Sequence, residues 1–316
     1  MMRDNELSAT LAVKAQRLTK RYGQTLAVNE LNLEIPTGGF FGLLGPNGSG
    51  KTSTIHMLST LIRPTAGGAW VAGYDVRSDG LKVRAAIGVV FQESALDRTL
   101  SVAENLRFAG LLYNLAPAQI KERGGELLRL FGLTEKRDQA VSELSGGQRR
   151  ALDIARGVIH QPRILFLDEP TIGLDVPNRR KIWQFIERLR AEQNMTVFLT
   201  THYLEEAVDC DEVAFIKQGR IVKNGPPHDL IDGLGSYIIE IEAENLKELA
   251  QSLSSRLGPS YMDGDKACFR FTGRDLASLM LLQTELGDRV TGMRWRKPTL
   301  NDVFLWVNET EHWDRP

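Results

Sequence analysis

One continuous segment has the residue types and spacing of a site that binds the phosphate groups of a nucleotide. It fits the pattern G-x-x-x-x-G-K-[ST] and is followed by one more serine: Gly45, Pro46, Asn47, Gly48, Ser49, Gly50, Lys51, Thr52 and Ser53. Glycines let backbone N–H groups surround phosphate oxygens, while the lysine can reach the β- and γ-phosphates and the threonine hydroxyl can bind Mg²⁺. The alternative is a glycine-rich turn that binds nothing.

Two adjacent carboxylates form a second candidate site. Asp168 and Glu169 directly follow an apolar run, Ile164 to Leu167, that predicts a buried strand. Charge at the end of a buried strand is costly unless a cation lies beside it. Asp168 is suited to bind Mg²⁺, and Glu169 can orient or deprotonate an attacking water. The alternative is a strand end and turn that carry two solvated acids.

The elements that must position these groups are a sheet and a helix. An apolar run, Phe40 to Leu44, precedes the phosphate-binding segment, and a helical pattern through Ile55, Leu58 and Ile62 follows it. Continuous apolar runs are typical of strands buried in a parallel sheet. Further runs of this kind are residues 87–91, 164–167 and 197–199. The phosphate-binding segment therefore has the strand before it and the helix after it that such a site requires.

Other patterns complete the first part of the chain. Leu31, Leu33 and Ile35 alternate with polar residues and predict a half-buried strand. From about residue 94 to residue 161 the spacing of apolar residues is helical, which predicts a mostly helical insertion. Alternation of strands and helices over roughly the first 225 residues indicates an α/β domain.

The pattern restarts after a turn-rich break at Gly225-Pro226-Pro227. Tyr237, Ile239 and Ile241 alternate as in a strand. The later segments predict a helix at residues 246–257, a strand at 267–271, a helix at 276–286 and a helical apolar stripe at 300–307. We therefore expect two domains, one of residues 1–227 and a small α+β domain of residues 228–316.

Composition restricts the class of protein. The 316-residue chain has 39 Lys and Arg against 40 Asp and Glu, and this near-balance gives no electrostatic reason to expect a nucleic-acid partner. Cys210 and Cys268 have no spacing typical of a metal or disulfide site, which fits a reducing compartment. Residues 1–6 lead into no apolar stretch, and apolar runs are short throughout. We expect neither a secretory signal nor a membrane-spanning helix.

The segment Leu144-Ser145-Gly146-Gly147-Gln148-Arg149-Arg150 resembles the signature motif of the ATP-binding-cassette (ABC) ATPases. The resemblance extends from about residue 11 to residue 230. It implies a phosphate-loop NTPase core of ABC type with a helical subdomain, ATP and Mg²⁺ as ligands, and a dimer. In the family, the helix that begins at this motif contacts the γ-phosphate of an ATP held by the second subunit. Ser145 could also act only as a helix N-cap, and the two roles are compatible.

Four further residues match ABC positions in the family order. Tyr22 matches the aromatic residue that stacks on adenine, and Gln92 matches the glutamine that reaches Mg²⁺ and the attacking water. Asp175 matches the loop that crosses the dimer interface, and His202 matches the histidine that contacts the γ-phosphate. The alternatives are a half-buried tyrosine, a solvated glutamine, a helix-capping aspartate and a structural histidine.

These assignments predict catalytic roles for Lys51, Glu169 and His202 and metal binding by Thr52, Gln92 and Asp168. Segments such as Glu104-Asn105-Leu106, together with the terminal Pro298 to Leu305, resemble the drug-resistance (daunorubicin-type) and nodulation-factor exporter ATPases. That resemblance implies a peripheral ATPase subunit on the cytoplasmic face of the cell membrane. It would work as a homodimer with a separate membrane-spanning permease.

Two other classes of protein compete with this interpretation. A soluble ABC ATPase that acts on nucleic acid or ribosomes would generally carry a long coiled-coil insertion or two cassettes, and neither is visible. A phosphate-loop kinase or GTPase would leave Ser145 to Gln148 and His202 without a role.

Overall fold

The structure is a computed structural model that describes residues 11–273 and 276–309. Contacts divide the chain into two compact units. The first runs to His202 and includes Gln218–Ile221, and the second comprises Tyr203–Lys217 and the described residues from Val222 onward. The domain boundary that the sequence suggests, between residues 227 and 228, stays a prediction. Residues 1–6, on which the expectation about a secretory signal rests, lie outside the described residues.

The first unit combines strands and helices, as the alternating pattern of the sequence predicts. Its strands are β1 (Leu11–Tyr22), β2 (Thr25–Pro36), β3 (Phe40–Leu44), β4 (Ala66–Val71), β5 (Tyr74–Asp75), β6 (Ile87–Val90), β7 (Ile164–Asp168) and β8 (Thr196–Thr201). Its helices are α1 (Lys51–Leu58), α2 (Gly80–Ala86), α3 (Val102–Leu112), α4 (Pro117–Leu130), α5 (Gly146–Val158) and α6 (Val176–Gln193).

One sheet of this unit is antiparallel, with the strand order β2-β1-β4-β5. In β2, the buried Leu31, Leu33 and Ile35 alternate with exposed residues. Because successive side chains of a strand point to opposite faces, one face of β2 is buried and the other is solvated. The half-buried strand predicted from the sequence is confirmed.

The other sheet contains the parallel neighbours β3, β8, β7 and β6, in that order. Every residue of β3, β7 and β8 is buried, as their continuous apolar runs predict. Phe198 lies between Phe41 and Phe166, with ring centroids 5.3 and 5.4 Å away. Each such buried side chain contributes about 2 kcal/mol relative to exposure.

The register of the parallel strands brings their carboxyl ends together. Leu44, the last residue of β3, is paired with Thr201 of β8, and Asp168 of β7 is paired with Thr200. The segments that follow β3, β7 and β8 therefore leave the sheet along one edge. This edge is where α/β proteins with parallel sheets bind their ligands.

The segment between residues 94 and 161 contains α3, α4 and α5 and two short 3₁₀ turns, Thr134–Lys136 and Val141–Glu143. Helix α3 begins at a reciprocal cap. Ser101 Oγ accepts the Glu104 N–H at 3.2 Å, and Glu104 Oε2 accepts the Ser101 N–H at 2.8 Å. This cap gives hydrogen-bond acceptors to two backbone N–H groups at the helix start, and it fixes where the helix begins.

The second unit combines helices with an antiparallel sheet. Its strands include β9 (Glu212–Lys217), β11 (Tyr237–Glu242), β12 (Ser260–Asp263), β13 (Lys266–Phe271) and β14 (Gly292–Arg296). The strand β10 (Arg220–Gly225) begins among the residues assigned to the first unit. The helices are α7 (Pro227–Asp232), α8 (Leu246–Leu257), α9 (Leu276–Leu286) and α10 (Leu300–Glu309), with 3₁₀ turns at Leu204–Ala207 and Gly287–Arg289.

The sheet of the second unit has the order β12-β13-β11-β14. Ile239 and Ile241 of β11 belong to an apolar core with Leu249 of α8 and Leu282 of α9. Glu240, between the two isoleucines, lies on the opposite face and is also buried. Strands β12 and β14 have no clear alternating pattern, and the sequence did not predict them.

No helix within residues 11–273 and 276–309 combines the length and apolar character needed to span a membrane. The predicted α/β class is confirmed by the layered arrangement of the first unit.

Candidate functional site

The phosphate-binding segment forms a loop between β3 and α1. Lys51 is the first residue of α1, and its Nζ donates to the carbonyl oxygens of Gly45 at 2.7 Å and Pro46 at 3.2 Å. The Ser49 N–H also donates to the Pro46 oxygen, at 3.2 Å. The loop is therefore closed by its own backbone carbonyls and by the lysine that follows it.

The loop has the features of an anion cradle. Gly48 and Gly50 have φ angles of +78° and +112°, which a residue with a Cβ atom rarely adopts. Helix α1 begins without a side-chain cap, so the partial positive charge of its first N–H groups is not neutralised by a side chain. Ser49 Oγ is buried and has no hydrogen-bond partner among the described residues. These features fit a bound phosphate.

Oxygen ligands suitable for a magnesium ion meet beside this loop. Thr52 Oγ1 lies 3.5 Å from Asp168 Oδ1, and Asp168 is 2% exposed. Thr200 Oγ1 donates a hydrogen bond to the same carboxylate oxygen. Hydroxyl and carboxylate oxygens are the ligands that Mg²⁺ binds, usually with several waters and with substrate phosphates. The donor set fits the ion.

Glu169 lies between Lys51 and His202. Its Oε1 is 3.8 Å from Lys51 Nζ, and its Oε2 is 3.2 Å from His202 Nδ1. The Glu169 side chain is 10% exposed and that of His202 is 36% exposed. A buried carboxylate with a histidine and a lysine beside it can hold a water for attack on a phosphate, because the charge of the carboxylate is partly compensated.

Burial lowers the pKa of the Lys51 ammonium, and the negative charges of Glu169 and Asp168 oppose that shift. The carbonyl oxygens of Gly45 and Pro46 and the nearby carboxylates of Glu169 and Asp168 thus replace part of the water around the Lys51 ammonium. A phosphate group placed beside it would add negative charge and favour the protonated form further.

The structure also places the other predicted residues. Tyr22, at the end of β1, is 46% exposed, and the Lys20 ammonium lies 5.0 Å from its ring centroid. Gln92 follows β6 after one residue and is exposed. Both side chains are accessible to a ligand, and their predicted contacts with adenine and Mg²⁺ stay predictions.

The signature segment begins α5 with a reciprocal cap. Ser145 Oγ accepts the Gln148 N–H at 3.3 Å, and Gln148 Oε1 accepts the Ser145 N–H at 2.9 Å. Ser145 and Gly146 are exposed, and Gly147 is partly exposed. The capping role is thus present, and the first turn of α5 remains at the surface, where a second chain could reach it.

Asp175 caps α6, because its Oδ1 accepts the Asn178 N–H at 2.9 Å. The aspartate is exposed, so the capping role does not remove it from the surface. Its predicted part in a dimer interface stays a prediction.

Arg150 is a residue that the sequence interpretation did not single out. It is 8% exposed and donates hydrogen bonds to backbone carbonyls on both sides of the site, including those of Phe91 and Glu169. It is the last residue of the segment that resembles the signature motif, but its burial depends on segments distant in the sequence.

Known proteins resemble the chain over most of its length. Residues 28–172 match the family model described as ABC transporter. The daunorubicin/doxorubicin resistance ATP-binding protein DrrA of Streptomyces peucetius is 42% identical over 304 residues, covering 94% of this chain and 92% of DrrA. The Nod factor export ATP-binding protein I of Cupriavidus metallidurans is 37% identical over 306 residues, covering 96% and 99% of the two chains.

Solved structures resemble the fold as well. A dimeric ATP-binding cassette in a post-hydrolysis state, bound to ADP and Pi, has a TM-score of 0.63 and 28% identity, covering 68% of this chain and 98% of the cassette. The cbiO1 protein of Clostridium perfringens, part of an ABC transporter complex, has a TM-score of 0.65 and 27% identity, covering 78% and 96%. This chain thus contains nearly the whole fold of both solved chains.

Proposed function

This chain belongs to the ABC transporter family of ATP-binding proteins, and from that membership we propose that it energises an exporter. As a member of the family it binds and hydrolyses ATP. The export role is supported by relatives named for drug resistance and for Nod factor export, which are 42% and 37% identical over most of the chain. The membrane path would be supplied by a separate membrane-spanning subunit, with this chain bound at the cytoplasmic face.

The convergence of Lys51, Glu169 and His202 at one edge of the parallel sheet is the observation that carries the enzymatic part of the proposal. Lys51 binds the β- and γ-phosphates, Glu169 orients or deprotonates the attacking water, and His202 contacts the γ-phosphate. Backbone N–H groups of the phosphate loop hold the remaining phosphate oxygens. The proposed nucleotide contacts are Tyr22, Gly45, Pro46, Asn47, Gly48, Ser49, Gly50, Lys51, Thr52 and Ser53.

Mg²⁺ would be held by Thr52, Asp168 and Gln92. When bound, it supplies positive charge that stabilises the phosphate oxygens during transfer to water. The proximity of the Thr52 hydroxyl and the buried Asp168 carboxylate supports this assignment. Thr200 fixes the orientation of the carboxylate by donating to the same oxygen.

The proposed active form is a homodimer with an ATP between the phosphate loop of one protomer and the signature segment of the other. The segment contributes Ser145, Gly146, Gly147 and Gln148, and Asp175 crosses the interface. The exposure of Ser145 and Gly146 at the start of α5 supports this arrangement. The start of α5 carries the partial positive charge of a helix N-terminus and lies at the surface, so it is suited to a γ-phosphate from a second chain.

A surface of the helical segment is suited to the membrane-spanning subunit. A groove of about 230 Å³ lies along α3 and is lined by residues that include Leu61, Phe108, Leu112 and Tyr113. Phe108 is 55% exposed and Leu112 is 66% exposed. Exposed apolar clusters of this kind mark protein interaction sites. We assign the groove to a cytoplasmic segment of the membrane-spanning subunit, because its lining includes Phe91, which directly precedes Gln92.

Co-purification in mild detergent tests the proposal. We expect the tagged full-length chain to bring down a polytopic membrane protein, and Phe108→Ser to reduce the yield of that partner. The control variant is Leu81→Ser, which changes an exposed leucine outside the lining of the groove. Recovery of nucleic acid or ribosomes, with no membrane protein, would instead support the soluble ABC ATPase and refute the transporter assignment.

A further inference from the structure

Arg150 lies on α5, at the end of the signature segment, and its side chain enters the protein interior. It is 8% exposed, and burial lowers its pKa while the negative charges of Asp153 and Asp168 oppose that shift. A buried guanidinium is costly unless its N–H groups are hydrogen-bonded. The contacts of the Arg150 guanidinium must therefore compensate the cost of its burial.

The acceptors of Arg150 are backbone carbonyl oxygens from two separate segments. Nη1 donates to Phe91 at 2.6 Å, and Nη2 donates to Asp168 at 3.3 Å and to Glu169 at 3.2 Å. Nε donates to Pro170. The planar guanidinium has five N–H donors in a fixed fork, so it can join several acceptors rigidly. One side chain thus connects the end of β6 with the Asp168–Pro170 turn.

The backbone of Glu169 needs such support. Its φ angle is +47°, in the left-handed region that costs a residue with a side chain of order 1 kcal/mol or more. The Glu169 N–H donates to the Thr200 carbonyl at 2.9 Å, and its own carbonyl accepts from Arg150. The strained peptide is held on one side by β8 and on the other by α5. These two contacts determine where the carboxylate lies.

The same helix also holds the segment that carries Gln92. The Phe91 carbonyl that Arg150 binds belongs to the peptide unit that begins Gln92. Further along the same side of α5, Arg156 donates to the Ala95 carbonyl at 2.6 Å. The segment after β6 is therefore attached to α5 at two carbonyl groups, those of Phe91 and Ala95.

We propose that Arg150 is a positioning residue for ATP hydrolysis. It fixes the Glu169 peptide and the start of the Gln92 segment to the helix that bears the signature residues, so that the three move as one body. The inference rests on the proposed function, because it assigns Arg150 a role through Glu169. Substitution would displace the carboxylate while leaving the phosphate loop, and hence nucleotide binding, intact.

The variants Arg150→Met and Arg150→Lys test the inference in the purified full-length chain. Equilibrium binding is measured with a fluorescent ATP analogue, and hydrolysis is measured in a single turnover with γ-labelled ATP. We expect Arg150→Met to lose about 10- to 100-fold in hydrolysis rate with little change in affinity. Lysine has one point of attachment, so Arg150→Lys recovers only part of the rate. Arg129→Met, which alters an exposed arginine on α4, is the control.

A double-mutant cycle with Glu169→Gln separates positioning from a general loss of structure. If Arg150 acts through Glu169, Arg150→Met causes no further loss in the Glu169→Gln background. An equal loss in both backgrounds, or a wild-type rate for Arg150→Met alone, overturns the inference. A wild-type rate for Glu169→Gln refutes the proposed role of Glu169 as the base, on which the inference rests, and is a separate outcome. If Arg150→Met does not fold, the same cycle is performed with Arg150→Lys.

Discussion

Glu169 is held by constraints that a solvated carboxylate would not require. It has a positive φ angle, it is buried, and its two carboxylate oxygens face Lys51 and His202 separately. Such a combination of strain and a compensated buried charge is typical of functional sites. The role of general base, proposed from the order of the motifs, is consistent with each of these features.

We expect Glu169→Gln to retain ATP binding and to lose about 10²- to 10⁴-fold in turnover, because the amide keeps the shape of the side chain but cannot accept a proton. The variant should accumulate an ATP-bound dimer, which size-exclusion chromatography with and without ATP would detect. Glu187→Gln, on the exposed side of α6, is the control. Turnover at the wild-type rate would contradict the assignment of the base.

Lys51 supports the phosphate loop as well as the nucleotide. We expect Lys51→Ala to weaken ATP binding by about 10- to 100-fold, because one charged hydrogen bond to phosphate is lost and the carbonyls of Gly45 and Pro46 lose their donor. Isothermal titration with ATP measures the effect. Lys181→Ala removes an exposed lysine of α6 and should bind ATP normally. Unchanged affinity in Lys51→Ala would refute the phosphate contact.

At the scale of elements, α10 is joined to the sheet of the second unit by a buried ionic network. Asp302 of α10 accepts from Arg296 of β14 at 2.7 Å and from the hydroxyl of Tyr261. Arg296 also donates to Glu240 of β11 at 2.5 Å. Both carboxylates are buried, with exposures of 0% and 3%. One arginine thus connects the helix with two strands.

This network predicts acid sensitivity of the second unit. Burial alone would raise the pKa of Asp302, but hydrogen bonds from Arg296, Tyr261 and Thr299 outweigh burial and hold the pKa below its ordinary value. The pKa in the folded state is thus lower than that of the unfolded chain, which is about 3.9. The stabilisation is complete above that pH and is lost as the pH falls through the folded-state pKa.

We expect Asp302→Asn to reduce the free energy of unfolding of this unit by about 2 kcal/mol at neutral pH. The difference from wild type should shrink as the pH falls below about 4, because the unfolded chain binds a proton there while the folded protein still holds the ionised carboxylate. Hydrogen exchange of peptides from β11 and β14, corrected for intrinsic rates, measures both effects. Asp265→Asn, which changes an exposed loop residue, should match wild type. A pH-independent difference would contradict the electrostatic explanation.

At the scale of the whole molecule, the phosphate loop and the signature segment are proposed to act on the same ATP from different chains. Lys51→Ala inactivates the loop, and Ser145→Arg places a bulky charge at the exposed start of α5. Each variant alone should hydrolyse almost no ATP. In a mixed dimer, one site combines the altered loop of the first chain with the altered signature segment of the second. The other site combines the intact loop of the second chain with the intact signature segment of the first.

We therefore expect co-expressed Lys51→Ala and Ser145→Arg chains to hydrolyse ATP above the sum of the separate variants. The measurement is ATP hydrolysis by mixed dimers purified through two different affinity tags. The control is a homodimer of each variant, in which the two chains carry the two different tags and are purified in the same way. If each chain closed its own site, mixing would restore nothing, and the proposed sandwich of ATP between protomers would be refuted.

The sequence predicted the elements whose patterns depend on local chemistry. Continuous apolar runs predicted the fully buried strands β3, β7 and β8, because strands covered on both faces exclude polar residues. The helix predicted at residues 246–257 has those bounds in the structure. Strand β14, Gly-Met-Arg-Trp-Arg, was missed, because it has no clear apolar alternation and its arginines pair with carboxylates of β11 and α10 that are distant in the sequence.

The sequence also predicted a nucleotide site, because a phosphate loop and a strand-end carboxylate pair depend on residue type and spacing within short segments. The packing of distant segments sets the contacts of Glu169 with His202 and Lys51, its positive φ angle, and the burial of Arg150 against two separate segments. The register of parallel strands sets these relations. Alternation of apolar and polar residues can specify strand register, but β3, β7 and β8 are buried throughout and have no such alternation, so their sequences left the register open.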